Sequence, residues 1–126
     1  MDLSLLAISP NDRILHYPCG DGSFCAEIAV LVSLGVVIGL DSDDNVRAAR
    51  AAWRDLDNVM FVPCDGHEIP WSEGFFSCVI VGNQDLPLRE IQRVLAEGGR
   101  ALLDSGQVIA AKDHPPTSAG GLKILP

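Results

Sequence analysis

The segment Val36-Val37-Ile38-Gly39-Leu40 is an unbroken apolar run that stops at four polar residues, Asp41-Ser42-Asp43-Asp44. A strand with one wet face alternates apolar and polar side chains. A run without alternation reads as a strand buried on both faces. Such a strand needs helices on either side, which restricts the chain to an α/β layering. The polar stop supplies a helix N-cap, and carboxylates suit the positive end of that helix.

The rest of the chain keeps the same rhythm. Arg13 to Tyr17 is a short β-prone run ending in the turn-rich loop Pro18-Cys19-Gly20-Asp21-Gly22. Ser23 is a candidate cap for an apolar helical stretch through Val32 that ends near Gly35. Asn45 to Asp55 is rich in Ala and Arg, with Val46, Ala49 and Trp53 at helical spacing. Val59 to Val62 reads as a third strand, Cys64 to Glu73 as a polar loop and Phe75 to Val81 as a fourth strand. Leu86 to Leu95 reads as an amphipathic helix with Leu88, Ile91, Val94 and Leu95 inward, ended by a left-handed turn at Gly98-Gly99. Arg100 to Leu103 is the fifth strand, and Leu122 to Leu125 a candidate last one beyond the breaks at Pro115-Pro116 and Gly120-Gly121. Alternation of this kind predicts parallel strands with helices on both faces.

Length and charge narrow the function. The 126 residues suit one domain spanning positions 1–126. Nine Lys and Arg against 17 Asp and Glu give a formal charge of -8, which repels phosphate backbones and anionic lipid heads. Nucleic-acid and membrane partners are therefore not expected. The start carries Asp2 and no basic flank, so no secretory leader is expected. Cys19, Cys25, Cys64 and Cys78 form no C-x-x-C pair and have no His at metal-finger spacing. They read as reduced thiols of a cytoplasmic protein without a metal site.

Three polar elements fall at the carboxyl ends of strands, where open parallel sheets bind ligands. Cys19-Gly20-Asp21-Gly22 follows strand one, and its glycines let the backbone approach a ligand. Asp41 ends strand two, 19 residues after Gly22, where a carboxylate can accept both hydroxyls of a ribose. Cys64-Asp65-Gly66-His67 follows strand three, where a carboxylate can accept the exocyclic amine of adenine. Each alone has a bland explanation: a tight turn, a helix cap, a solvated loop. Together, in this order, they point to an adenosine-type cofactor.

Here the chain resembles the class I S-adenosylmethionine-dependent methyltransferases, from about Arg13 to Ser105. Ile14 to Gly22 is similar to the family's glycine-rich first loop, Gly39-Leu40-Asp41 to its ribose-binding acid, and Cys64-Asp65-Gly66 to its adenine loop. Glu90-Ile91-Gln92-Arg93-Val94-Leu95 before Gly98-Gly99 is similar to the helix leading to strand five, the most distinctive match. The resemblance implies a Rossmann-like, mostly parallel sheet of order 3-2-1-4-5 with an abbreviated C-terminal part, and S-adenosyl-L-methionine as cofactor. It places His16, Pro18, Cys19, Gly20, Gly22, Asp41, Ser42, Asp65, Gly66 and Asn83 around that cofactor. Asn83 would face the sulfonium side.

The chain departs from the family pattern at two cofactor-side positions and in two shortened segments on the substrate side. His16 stands where an acid is usual, and its charged form would disfavour a sulfonium. Pro18 replaces a common glycine. Little chain separates Asn83 from Leu88, and the stretch after Ser105 is not expected to form the usual helix and long hairpin. The reading is a methyltransferase acting on a small-molecule acceptor, with no catalytic residue assigned. His67 is a candidate base, though a solvated loop histidine explains it as well. The alternative is a non-catalytic cofactor-binding or partner subunit, with a second copy or another protein covering exposed apolar surface. A nicotinamide oxidoreductase fits less well, since Gly20-x-Gly22-x-x-Cys25 lacks the third glycine.

Overall fold

A computed structural model describes residues 3–111 of the chain. After a 3-10 turn at Leu3–Leu6, the elements are β1 (Arg13–Tyr17), α1 (Ser23–Leu31), β2 (Val36–Asp41), α2 (Asp43–Ala52) and β3 (Val59–Pro63). Then follow β4 (Phe76–Val81), α3 (Leu88–Val94), β5 (Leu95–Leu102) and β6 (Val108–Ala110). The sheet order is β3-β2-β1-β4-β5-β6, with the first five strands parallel and β6 antiparallel to β5. The expected order is therefore borne out, with one antiparallel strand added at its edge. The candidate strand Leu122 to Leu125 lies outside the described residues.

Alternation along the central strands sends side chains to two cores. Ile14, Val37 and Ile80 join Ile28, Val32, Val46 and Ala49 on the α1/α2 face. Leu15, Ile38, Leu40 and Val79 join Ile69, Ile91 and Val94 on the α3 face. Both faces of β2 are buried, which is why its sequence never alternates.

Several local expectations change. Ser23 does not cap α1: Gly22 holds the N-cap position at φ 83°, and Asp21 Oδ1 accepts from both Ser23 N and Ser23 Oγ. Ser42 caps α2, its Oγ accepting from Asn45 N at 3.4 Å, which leaves Asp41 free of that duty. Gly98-Gly99 does not close α3. Strand β5 begins directly at Leu95 and is irregular, its register against β4 shifting between Phe76 and Cys78. Gly98 takes φ 78° inside that irregularity. A side chain at Gly99 would sit 2.8 Å from the Ala96 carbonyl oxygen, so glycine is needed for strand packing. Leu88, expected inside, is 52% exposed: it lines an open cleft, while Leu86, Ile91 and Val94 fill the core.

Candidate functional site

Parallel pairing lines up the ends of β1, β2 and β3, and the loops leaving them are bonded to one another. Asp41, the last residue of β2, is buried at the sheet edge. Its Oδ2 accepts from Gly20 N at 2.8 Å and its Oδ1 from Ser42 N at 2.7 Å. Cys19 N donates to Leu40 O, and Cys64 N to Asp41 O, both at 2.8 Å. The first loop and the β3 loop thus hang from the same two residues of β2. Each carboxylate oxygen of Asp41 retains acceptor capacity beyond the bond it makes.

The two glycines of the first loop differ. Gly20 has φ 56°, and a side chain there would meet nothing within 4 Å. It borders open space, a cradle that a Cβ would fill. At Gly22 a Cβ would lie 2.7 Å from the Phe61 ring and 2.8 Å from Trp53. Its N–H is already bonded to Cys19 O. Trp53 Nε1 adds a bond to Asp21 O at 2.8 Å, pinning the loop to the end of α2. The Tyr17-Pro18 peptide is cis.

His16 lies on β1 below this loop and is buried. Its Nδ1 is 3.5 Å from Cys25 Sγ, and its ring tilts against Phe24. Burial lowers its pKa from the ordinary 6.5 to about 4, against an upward pull from Asp41. The imidazole is therefore neutral at pH 7. Burial also pushes the neighbouring Cys19 thiol up to about 12, so it stays protonated.

The β3 loop is organised by Asp65, whose Oδ1 accepts from His67 N at 2.8 Å and Glu68 N at 3.3 Å. These bonds hold its carboxyl below the ordinary carboxylate range. Asp65 and His67 are exposed, and Gly66, at φ 85°, packs against the Tyr17 hydroxyl. Tyr17 Oη in turn donates to Gln84 Oε1 at 3.2 Å, joining the β3 loop to the loop after β4. Asn83 is exposed beside Gly82, whose N–H donates to Tyr17 O at 2.7 Å.

Beyond Gly82 the sheet edge changes character. A cleft of about 310 Å³ opens between α3 and the β5–β6 hairpin, lined by Gly82, Asp85, Ile91, Leu103, Asp104 and Ile109 among others. Sequence reasoning did not find it, because it depends on a hairpin whose second strand has only three residues, too short to give a periodicity. Tyr17, Phe61 and Trp53 were also missed. Each reads as an ordinary core residue until the loop packed on it is seen. Among the described residues no group of three or more His, Cys, Asp or Glu is placed to hold a metal ion, and no helix is long and apolar enough to cross a membrane.

An edge with an open glycine, a buried carboxylate beneath it and a neutral buried histidine fits an adenosyl cofactor of the kind the resemblance implies. The family profile described as "Methyltransferase domain" matches residues 8–118. The chain belongs to this family of methyltransferase domains, and the cofactor it indicates is S-adenosylmethionine.

Among curated relatives, a ubiquinone/menaquinone biosynthesis C-methyltransferase of Pasteurella multocida is 33% identical over 76% of this chain and 40% of its own length. A 23S rRNA (uracil(1939)-C(5))-methyltransferase of Xanthomonas axonopodis pv. citri is 28% identical over 98% of this chain and 32% of its own. The chain thus spans well under half the length of these relatives. A solved S-adenosylmethionine-dependent methyltransferase from Aquifex aeolicus shares the fold at a TM-score of 0.74 and 18% identity, covering 80% of this chain and 60% of that one. A Haloferax volcanii methyltransferase in complex with the Trm112 activator does so at 0.72 and 24%, covering 80% and 48%.

Proposed function

We propose that the chain transfers a methyl group from S-adenosylmethionine to a small-molecule acceptor. The observation that carries this reading is the buried Asp41 carboxylate, bonded to Gly20 N and placed under open space at the junction of two loops. Asp41, with Ser42 beside it, would hold the ribose. Gly20 would let the backbone approach the methionine half, with Pro18, Cys19 and Gly22 fixing the turn around it. Asp65 and Gly66 would meet the adenine, and Asn83 would face the sulfonium. A neutral His16 sets no positive charge against that sulfonium.

When bound, the cofactor supplies a methyl carbon made electrophilic by its sulfonium. Displacement at such a carbon depends chiefly on proximity and alignment. The chain's task is then to orient and enclose, and no acid or base is assigned. His67 is exposed, and its backbone N–H donates to Asp65 Oδ1 within its own loop.

The acceptor is assigned to the cleft past Gly82. Its volume of about 310 Å³ lies at the small end of ligand clefts, roughly 300–1,000 Å³. Asp85 and Asp104 at its rim, with a net charge of -8, disfavour a phosphate backbone. The second reading, a cofactor-binding module whose acceptor wall comes from a partner, draws support from Leu88, half-exposed in the wall of the cleft. The neighbour solved in complex with the Trm112 methyltransferase activator shows that this fold occurs bound to a protein partner.

The test is calorimetric titration with S-adenosylhomocysteine. Asp41→Ala is expected to weaken binding by about 1–3 kcal/mol, the cost of leaving polar partners unpaired. Unchanged affinity in that variant breaks the ribose assignment. Binding by the native chain without turnover on any acceptor favours the second reading.

A further inference from the structure

The motif Glu90-Ile91-Gln92-Arg93 is the most distinctive stretch of the sequence, yet neither of its charged residues lies at the edge where the cofactor is placed. Their side chains reach instead for the backbone of the β3 loop. Arg93 Nη2 donates to Ile69 O at 2.7 Å and Nη1 to Trp71 O at 2.9 Å. Glu90 Oε1 accepts from Ile69 N at 2.8 Å. The pair is locked internally as well. Arg93 Nε donates to Glu90 Oε2, and Nη2 to Oε1, both at 3.0 Å. The Arg93 carbonyl accepts from Gly74 N at 2.9 Å.

Segment 69–74 therefore takes four bonds from two residues of α3. It has no strand or helix of its own to satisfy these groups. Buried backbone groups without partners are costly, so the loop takes the path on which Glu90 and Arg93 meet it. At its other end the loop is tied to β2 through Cys64 N and Asp41 O. Between these anchors lie Asp65 and Gly66. The bond to Arg93 keeps the Glu90 carboxyl below the ordinary carboxylate range, so the pair stays charged at neutral pH.

We infer that Glu90 and Arg93 are positioning residues that set the β3 loop at the height where Asp65 and Gly66 recognise adenine. This rests on the cofactor reading above. Guanidinium is required because one planar group serves a carboxylate and two carbonyls together, and an ammonium cannot reproduce that fork. Ile91, between them, turns into the α3-face core, so the same short helix is fixed while its charged face holds the loop.

The experiment measures the affinity of the full chain for S-adenosylhomocysteine and for S-inosylhomocysteine, in which a carbonyl replaces the exocyclic amine. The native chain is expected to prefer the adenine compound. Arg93→Gln is expected to weaken that compound by about tenfold and the inosine compound by no more than about twofold, the scale of one or two lost polar contacts. Arg93→Lys and Glu90→Gln should fall between, and they carry the test if Arg93→Gln does not fold. Asp41→Asn, acting at the ribose, should weaken both compounds alike.

Equal weakening of both compounds in the Arg93 and Glu90 variants overturns the inference and leaves the pair as scaffold only. A native chain that binds well but shows no preference for adenine overturns it too. A native chain that binds neither compound overturns the cofactor reading itself, a result distinct from the other two.

Discussion

The two halves of the sheet edge are built differently. On the β3-β2-β1 side, polar groups close on one another: Gly20 N on Asp41, Cys19 N on Leu40, Cys64 N on Asp41 and Tyr17 against Gly66. On the β4-β5-β6 side, Asp85 and Asp104 are exposed, and neither makes an ion pair among the described residues. The first edge is already organised by its own bonds. The second presents carboxylates and half-buried apolar groups around an open cleft. Under the proposed function, preorganisation would serve the cofactor and openness the acceptor.

The sharpest way to break this contrast lies in the first loop. Gly22→Ala forces a Cβ into the Phe61 and Trp53 rings at a positive φ of 83°. Overpacking and left-handed strain together should cost on the order of 4 kcal/mol. Gly20→Ala puts its Cβ into open space at φ 56°, so roughly 1 kcal/mol of strain is expected. The second variant should fold and yet lose affinity for S-adenosylhomocysteine; chemical denaturation and titration check both. If Gly20→Ala binds as tightly as the native chain, the cradle is not where the cofactor lies.

The fold was legible because β2 and the loops around it carry their signals locally. Val36 to Leu40 shows burial on both faces, and Asp41 stops the strand where the site begins. Gly22 was legible as a special position but for a partly different reason: its space is taken by Phe61 and Trp53, residues 39 and 31 positions away. Gly98-Gly99 read as a helix end because glycine serves a left-handed turn and a strand irregularity equally well. The bonds from Glu90 and Arg93 to Ile69 and Trp71 span 21 to 24 positions and end on backbone atoms, which leave no residue-type signature. The composition of the β4-β5-β6 side said little, since its cleft arises from a three-residue strand pairing back on β5.

A second prediction sharpens the organised side through its pH dependence. Besides Phe24 and Cys25, the groups acting on His16 include Asp41, which favours its charged form, and burial outweighs that pull. Its folded pKa of about 4 lies below the ordinary 6.5, so the unfolded chain binds the extra proton first. Stability from a neutral His16 is then complete above pH 6.5 and is lost as pH falls toward 4. The loss across that window should reach roughly 3 kcal/mol at most. Urea melts from pH 7 to 4 should slope steeply for the native chain and flatten for His16→Asn. Equal slopes in the two proteins place His16 in water rather than beneath the loop.

The smallest effects are expected on the open side, and they test whether the two edges are separable. Asp85 and Asp104 are exposed and line the cleft without ion-pair partners among the described residues. Exposed, unpaired carboxylates contribute little to folding, so Asp85→Asn and Asp104→Asn should each change stability by no more than about 0.5 kcal/mol. Neither touches the bonds that tie Gly20, Asp41 and Cys64 together, so affinity for S-adenosylhomocysteine should stay within about twofold of native, or some 0.4 kcal/mol. What should move is the KM for an acceptor, since the rim charge that greets it has changed while the cofactor edge has not. A joint loss of cofactor affinity and acceptor KM in either variant contradicts the division, because it makes the cleft beyond Gly82 part of the same receptor as Asp41.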